Sequence, residues 1–93
     1  MDIDINTEVK KVAQRIQSVR QRKNMSQMDL ALESGVSQSF LAMIESNRKV
    51  PTITTIFKIA HALNVHPTTL LEEVDTDREI KKQKIIAMIE KEL

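Results

Sequence analysis

The sequence predicts an all-α fold, and three observations predict it. One Gly and two Pro in 93 residues leave few natural breaks, which disfavours a set of short strands joined by tight turns. Apolar residues recur at steps of three and four along the chain, the spacing of one face of a helix. Ser, Thr, Asn and the lone Gly fall where those periodic runs begin and end, as helix caps do.

The first helix is expected over Thr7 to about Lys23, because Val9, Val12, Ile16 and Val19 form one apolar stripe. Asn24 is its expected stop, since Asn tolerates the left-handed backbone. Met1–Asn6 reads as an acidic arm outside the helix, with no apolar run of a secretory signal. The second helix has the best-marked start. Ser26 is an N-cap with Asp29 three residues on, and Met25 and Leu30 flank them as a hydrophobic staple. It runs from Gln27 to about Ser34, buries Leu30 and Ala31, and ends at Gly35, which supplies positive φ.

Ser37 caps a third helix from Gln38 to about Ser46, with Phe40, Leu41 and Ile44 turned to the core and Asn47 closing it. Arg48–Thr52 is a basic loop, and Thr52 caps a fourth helix with Ile53, Ile56, Ile59, Ala60 and Leu63 on its inner side. Asn64 ends that helix. Pro67 opens a short fifth helix carrying Leu70 and Leu71, with His66 before it as an imperfect N-cap. Asp75–Asp77 reads as a hinge, and a sixth helix follows with Ile85, Ile86, Met88, Ile89 and Leu93 on one broad face.

Length and composition bound what such a bundle can be. A chain of 93 residues supports one modest core, so residues 7–73 are expected to form one domain and residues 76–93 an appended amphipathic helix. With no Cys there is no disulfide framework and no thiolate metal site, in keeping with the cytoplasm. No apolar run approaches the roughly 20 residues that span a bilayer, so no membrane is expected. Two Phe and no Trp or Tyr argue against stacking platforms for single strands. The net charge of +1 hides an asymmetry: residues 1–24 hold six Lys/Arg against three acids, and residues 52–75 one Lys against three acids. A basic pole suits a polyanion.

The functional motif is the pair of short helices joined by Gly35 and Val36. A helix-turn-helix needs a sharp fixed angle, so that its second helix projects into a groove while the first braces it. Ala31, Gly35, Val36, Leu41 and Ile44 supply the small residue, the positive φ and the apolar lock. Catalytic chemistry finds no footing. Glu72 and Glu73 are adjacent and diverge, there is no nucleophile–base arrangement or Gly-rich phosphate loop, and His61 and His66 make no metal set. Neither an enzyme nor a cofactor is expected.

The runs Met25-Ser26-Gln27-Met28-Asp29-Leu30-Ala31, Ser34-Gly35-Val36-Ser37-Gln38-Ser39 and Ile44-Glu45 resemble the Cro/phage-repressor (XRE-type) helix-turn-helix family. Pro51-Thr52-Ile53 and Ile56 through Val65 are similar to its fourth helix, so the resemblance covers roughly residues 12–73. It implies a five-helix lambda-repressor-like domain, here with the extra C-terminal helix, and double-stranded DNA as partner. It implies that Gln38, Ser39 and Met43 face base edges, where Gln pairs with adenine. Met43 replaces a commonly polar reader and either packs on a thymine methyl or covers core. Gln27, Ser37, Asn47, Arg48 and Lys49 fall at phosphate-contacting positions. Glu45 falls where the family has a structural acid paired with a helix-one Arg, here Arg20. The family often has Asn-Gly where Ser46-Asn47 stands, which predicts a tighter or differently aimed turn. Asp2 and Asp4 offer no Arg for a minor groove.

The reading that follows is a homodimeric transcription regulator on a palindromic operator. Phage-type repressor, restriction–modification controller and antitoxin, the last with a protein partner, all fit it. Ile85, Ile86, Met88, Ile89 and Leu93 are assigned to dimerisation, the alternative being a fold back onto helix one. The competing class is a protein-interaction module that kept the fold and lost the readout.

Overall fold

The computed structural model describes residues 4–72, and within them five α-helices and no strand. They are α1 (Ile5–Arg22), α2 (Gln27–Ser34), α3 (Gln38–Glu45), α4 (Ile53–Leu63) and α5 (Thr68–Leu71). The expected sixth helix, with Ile85, Ile86, Met88, Ile89 and Leu93, lies outside the described residues.

Local chemistry fixes the helix ends. Ser26 Oγ accepts from the Asp29 backbone N–H at 3.0 Å while Asp29 Oδ2 accepts from the Ser26 N–H at 2.9 Å, a complete capping box. Ser37 and Thr52 cap α3 and α4 through the Phe40 and Thr55 N–H groups. At the other ends, Asn24, Asn47 and Asn64 all have positive φ. Each sits in a Schellman arrangement, as where Arg48 N donates to Met43 O and Asn47 N to Ile44 O. Asn47 thus does what a glycine does in such a turn, and the expected tighter or re-aimed turn is an ordinary helix stop. Gly35, at φ +73°, ends α2 with its N–H on Ala31 O.

Two boundaries differ from expectation. α1 begins at Ile5 rather than Thr7, because Asp4 is its N-cap and accepts from the Asn6 and Thr7 N–H groups. An acidic residue that reads as part of an arm is instead a helix cap. Ser46 is the C-cap of α3 rather than its last residue. At α5, Pro67 is already helical in φ and ψ, and His66 Nδ1 accepts from the Thr68 N–H at 3.2 Å.

The core gathers Ile16 and Val19 from α1, Leu30 and Ala31 from α2, Leu41 and Ile44 from α3, and Ile56, Ile59, Ala60 and Leu63 from α4, closed by Leu70. Met25, Val36 and Phe40 pack against it from the loops and α3. Ile53 is a correction: it is 66% exposed, because the buried stripe of α4 runs through Ile56, Ile59, Ala60 and Leu63 and leaves Ile53 on its flank. Leu71 is likewise half out, 45% exposed. α2 packs on both α3 and α4, and α1 on α3, α4 and α5. α3 is therefore held from two sides and leaves one face for solvent. Arg15 Nη1 donates to Leu70 O at 3.2 Å and ties the end of α5 to α1.

Candidate nucleic-acid interface

α2 and α3 meet at the Gly35 turn. The turn is locked from within. Ser34 is buried, its hydroxyl donating to Ala31 O and accepting from the Val36 N–H. No water is needed to satisfy that buried oxygen.

Beneath the motif lies a fork of charge. Arg20 Nε and Nη2 donate to Glu45 Oε2 and Oε1, both at 2.9 Å. The third arm, Arg20 Nη1, donates to Met25 O at 2.7 Å. One guanidinium thereby joins α1, the α1–α2 loop and the last turn of α3. The side chains of Arg20 and Glu45 are 11% and 3% exposed. The structure brings the two together as a structural pair, with Glu45 turned inward to Arg20. Gln27 leans on the same carboxylate, its Nε2 3.4 Å from Glu45 Oε1. It is half-buried at the start of α2, where free N–H groups favour an anion.

The residues assigned to base edges differ in their settings. Gln38 and Ser39 are exposed on the first turn of α3 and hold no side-chain hydrogen bond among the described residues. Met43 is half-buried on α3. Its carbonyl accepts from the backbone N–H groups of Arg48 at 2.8 Å and Lys49 at 3.2 Å. This fastens the basic loop to the end of α3. Arg48, Lys49 and Asn47 are exposed there, and neither cation has a carboxylate partner among the described residues. Ser37 is exposed and spends its oxygen on the Phe40 N–H, which leaves its O–H free to donate.

Sequence reasoning misses two contributors. Asp4 gives no signal beyond an acid before a helix. Arg15 gives none at all, since its partner is a carbonyl 55 residues away. The two histidines stay apart in role: His61 is exposed on α4, and His66 Nδ1 is 2.8 Å from Thr68 Oγ1.

The helix-turn-helix family profile matches residues 16–70, more than half of the chain and all of α2, α3 and α4. The chain belongs to the helix-turn-helix family. Its motif is similar to the Cro/phage-repressor type, and the relatives agree. The immunity repressor protein of Bacillus phage phi105 is 33% identical, over 82% of this chain and 57% of that repressor. The HTH-type transcriptional regulator SinR of Bacillus subtilis is 38% identical, over 67% of this chain and 57% of its own length. The chain therefore spans little more than half of these two relatives. Among solved structures, the restriction-modification controller protein C.AhdI from Aeromonas hydrophila superposes with a TM-score of 0.65 at 33% identity. That likeness covers 69% of this chain and 96% of the controller. The all-α fold and the regulator-type helix-turn-helix domain of this family are thus those expected. Among the described residues, no helix is long and apolar enough to cross a membrane.

Proposed function

We propose that this chain is a transcription regulator that binds double-stranded DNA in a sequence-specific way, as a homodimer on a palindromic operator in the cytoplasm. The observation that carries the reading is the exposed first turn of α3. Gln38 and Ser39 stand unpaired there on a helix held rigid by the Arg20–Glu45 fork, with the cations of Arg48 and Lys49 fastened beside it. Such a surface offers base-reading groups in front and phosphate-binding groups at the side. The phage repressor, SinR and the restriction-modification controller support it as similar proteins, without choosing among their roles. Gln27, Ser37, Asn47, Arg48 and Lys49 contact phosphates; Gln38, Ser39 and Met43 face bases. Two copies place their α3 helices about 34 Å apart, in successive major grooves. Residues 76–93 join the copies through Ile85, Ile86, Met88, Ile89 and Leu93. No catalytic step, metal or cofactor enters the reading.

A gel shift of the full chain on the region upstream of its own gene, with random duplex as competitor, tests it. A complex that survives excess random duplex and has two-fold protein stoichiometry is expected. Binding that random duplex abolishes would move the function to a protein partner, such as the toxin of a toxin–antitoxin pair.

A further inference from the structure

The face of α1 turned away from the recognition helix carries a groove of its own. Arg22 follows Arg20 by two residues, and two residues turn an α-helix by about 200°. Arg20 reaches α3 through Glu45; Arg22 instead lines an open groove between α1 and α5, with Lys11, Gln14, Arg15, Ser18 and Thr69. The groove continues past Val19 and Arg22 to Lys23 and Val65. Its floor is apolar at Val19 and Val65, and among the described residues its lining holds Arg15, Arg22 and Lys23 and no acid, while Lys11 at its far end pairs with Glu8 at 3.3 Å. Among the described residues no carboxylate pairs with Arg22 or Lys23. The lining suits an acidic peptide.

The fold delivers one to it. Arg15, a lining residue, holds Leu70 O at 3.2 Å, so the chain leaves α5 beside the groove. The next residues include Glu72, Glu73, Asp75, Asp77 and Glu79, five acids in eight positions against the single Arg78. Seven residues beyond Glu72 reach about 23 Å when extended. The groove from Lys11 to Lys23 follows α1 for about 18 Å. Charge and reach both match.

We propose that the acidic segment 73–79 seats in the α1–α5 groove of its own chain, paired with Arg22 and its neighbours. The pairing is between exposed groups and weakens as salt rises.

The absence of Cys makes one engineered pair readable in the full-length protein. Ser18→Cys with Thr76→Cys is expected to form an intramolecular disulfide about tenfold faster than Thr54→Cys with Thr76→Cys, through the higher effective concentration. High salt or Arg22→Glu should slow it, and Asp75→Lys with Asp77→Lys in the Arg22→Glu chain should restore it. Unchanged helical circular dichroism in each variant separates docking from unfolding, since Ser18 and Arg22 are both exposed. Equal rates for the two pairs would overturn the proposal. So would a disulfide formed only between chains, which assigns the groove to a second copy. A rate indifferent to Arg22→Glu, joined to a flatter salt dependence of DNA binding, would assign the rim to phosphates instead.

Discussion

Arg20 and Glu45, 25 residues apart in sequence, meet through two parallel hydrogen bonds of 2.9 Å in an almost dry setting. Glu45 is the last residue of α3, where the negative end of the helix dipole opposes a carboxylate. Only a cation held close makes that placement tolerable. The pair is therefore less a source of net stability than a coupling: once both charges are buried, neither can leave without the other. α3 is thereby fixed to α1.

Glu45→Ala should lower stability by about 3–5 kcal/mol, the cost of a buried charge left without its partner. Replacing Arg20 and Glu45 together by apolar residues of similar size should recover most of that loss. Urea denaturation of the single and double variants measures both. A single-variant loss under about 1 kcal/mol would mean that water already screens the pair.

Gln38→Ala should weaken binding to the specific site by about 1–3 kcal/mol and relax discrimination at one base pair per half-site. The residue is exposed at the start of α3 and holds no side-chain hydrogen bond among the described residues, so its removal leaves the fold alone. Titrations against the specific site and its single-base variants decide it. An unchanged ratio of specific to random binding removes Gln38 from the readers.

Arg48→Ala and Lys49→Ala should weaken specific and random binding together. For every phosphate that a variant no longer neutralises, the slope of log affinity against log salt falls by about 0.9. Both cations sit on a loop whose backbone N–H groups are held by Met43 O, so the substitution alters charge and not loop shape. A salt series on each variant gives the slopes; values equal to the parent's would show that neither cation touches a phosphate.

The capping box of α2 gives a pH dependence. The Ser26 backbone N–H, then the Ser26 hydroxyl, hold the Asp29 carboxyl below the ordinary aspartate value of 3.8. A lowered folded pKa means stability that is present above the unfolded value and lost as pH falls through the folded one. The melting temperature of the parent should exceed that of Asp29→Ala at neutral pH, and the gap should narrow below 3.8. Melts at a series of pH values read this directly, and a gap that persists unchanged to about pH 2 would take the charge out of the cap.

The features legible in the sequence are those whose partners lie within one helix turn. Ser26 with Asp29, Ser37 at the head of α3, and Asn24, Asn47 and Asn64 at three helix ends are local chemistry and fall where the pattern puts them. The Arg20–Glu45 fork is reachable only through the family resemblance, because nothing in either helix alone names a partner across the core. Arg15 and Leu70 O, 55 residues apart, have no such guide. Asp4 escapes the pattern because an acid before a helix serves equally as a cap or as a solvated arm. Ile53 escapes it because the first residue of a helix matches an apolar stripe in spacing before its neighbours fix which way the stripe turns.

The Gly35 turn gives the last prediction, in which two substitutions should part company. Its φ of +73° is in the left-handed region, yet a Cβ built there meets nothing within 4 Å. Space is therefore not what calls for glycine; the backbone conformation is. Gly35→Val should cost about 1–3 kcal/mol, since a β-branched residue resists that conformation, and relief by rotation of the turn would re-aim α3. Gly35→Asn should cost less than about 1 kcal/mol, because Asn enters the left-handed region far more readily. The chain itself does so at Asn24, Asn47 and Asn64, with φ of 56°, 62° and 56°. Denaturation midpoints and DNA affinity of the two variants, measured side by side, test this. Val is expected to lose both and Asn to keep both. Equal losses would mean that the turn is selected by something other than its handedness, since both side chains enter the same open space.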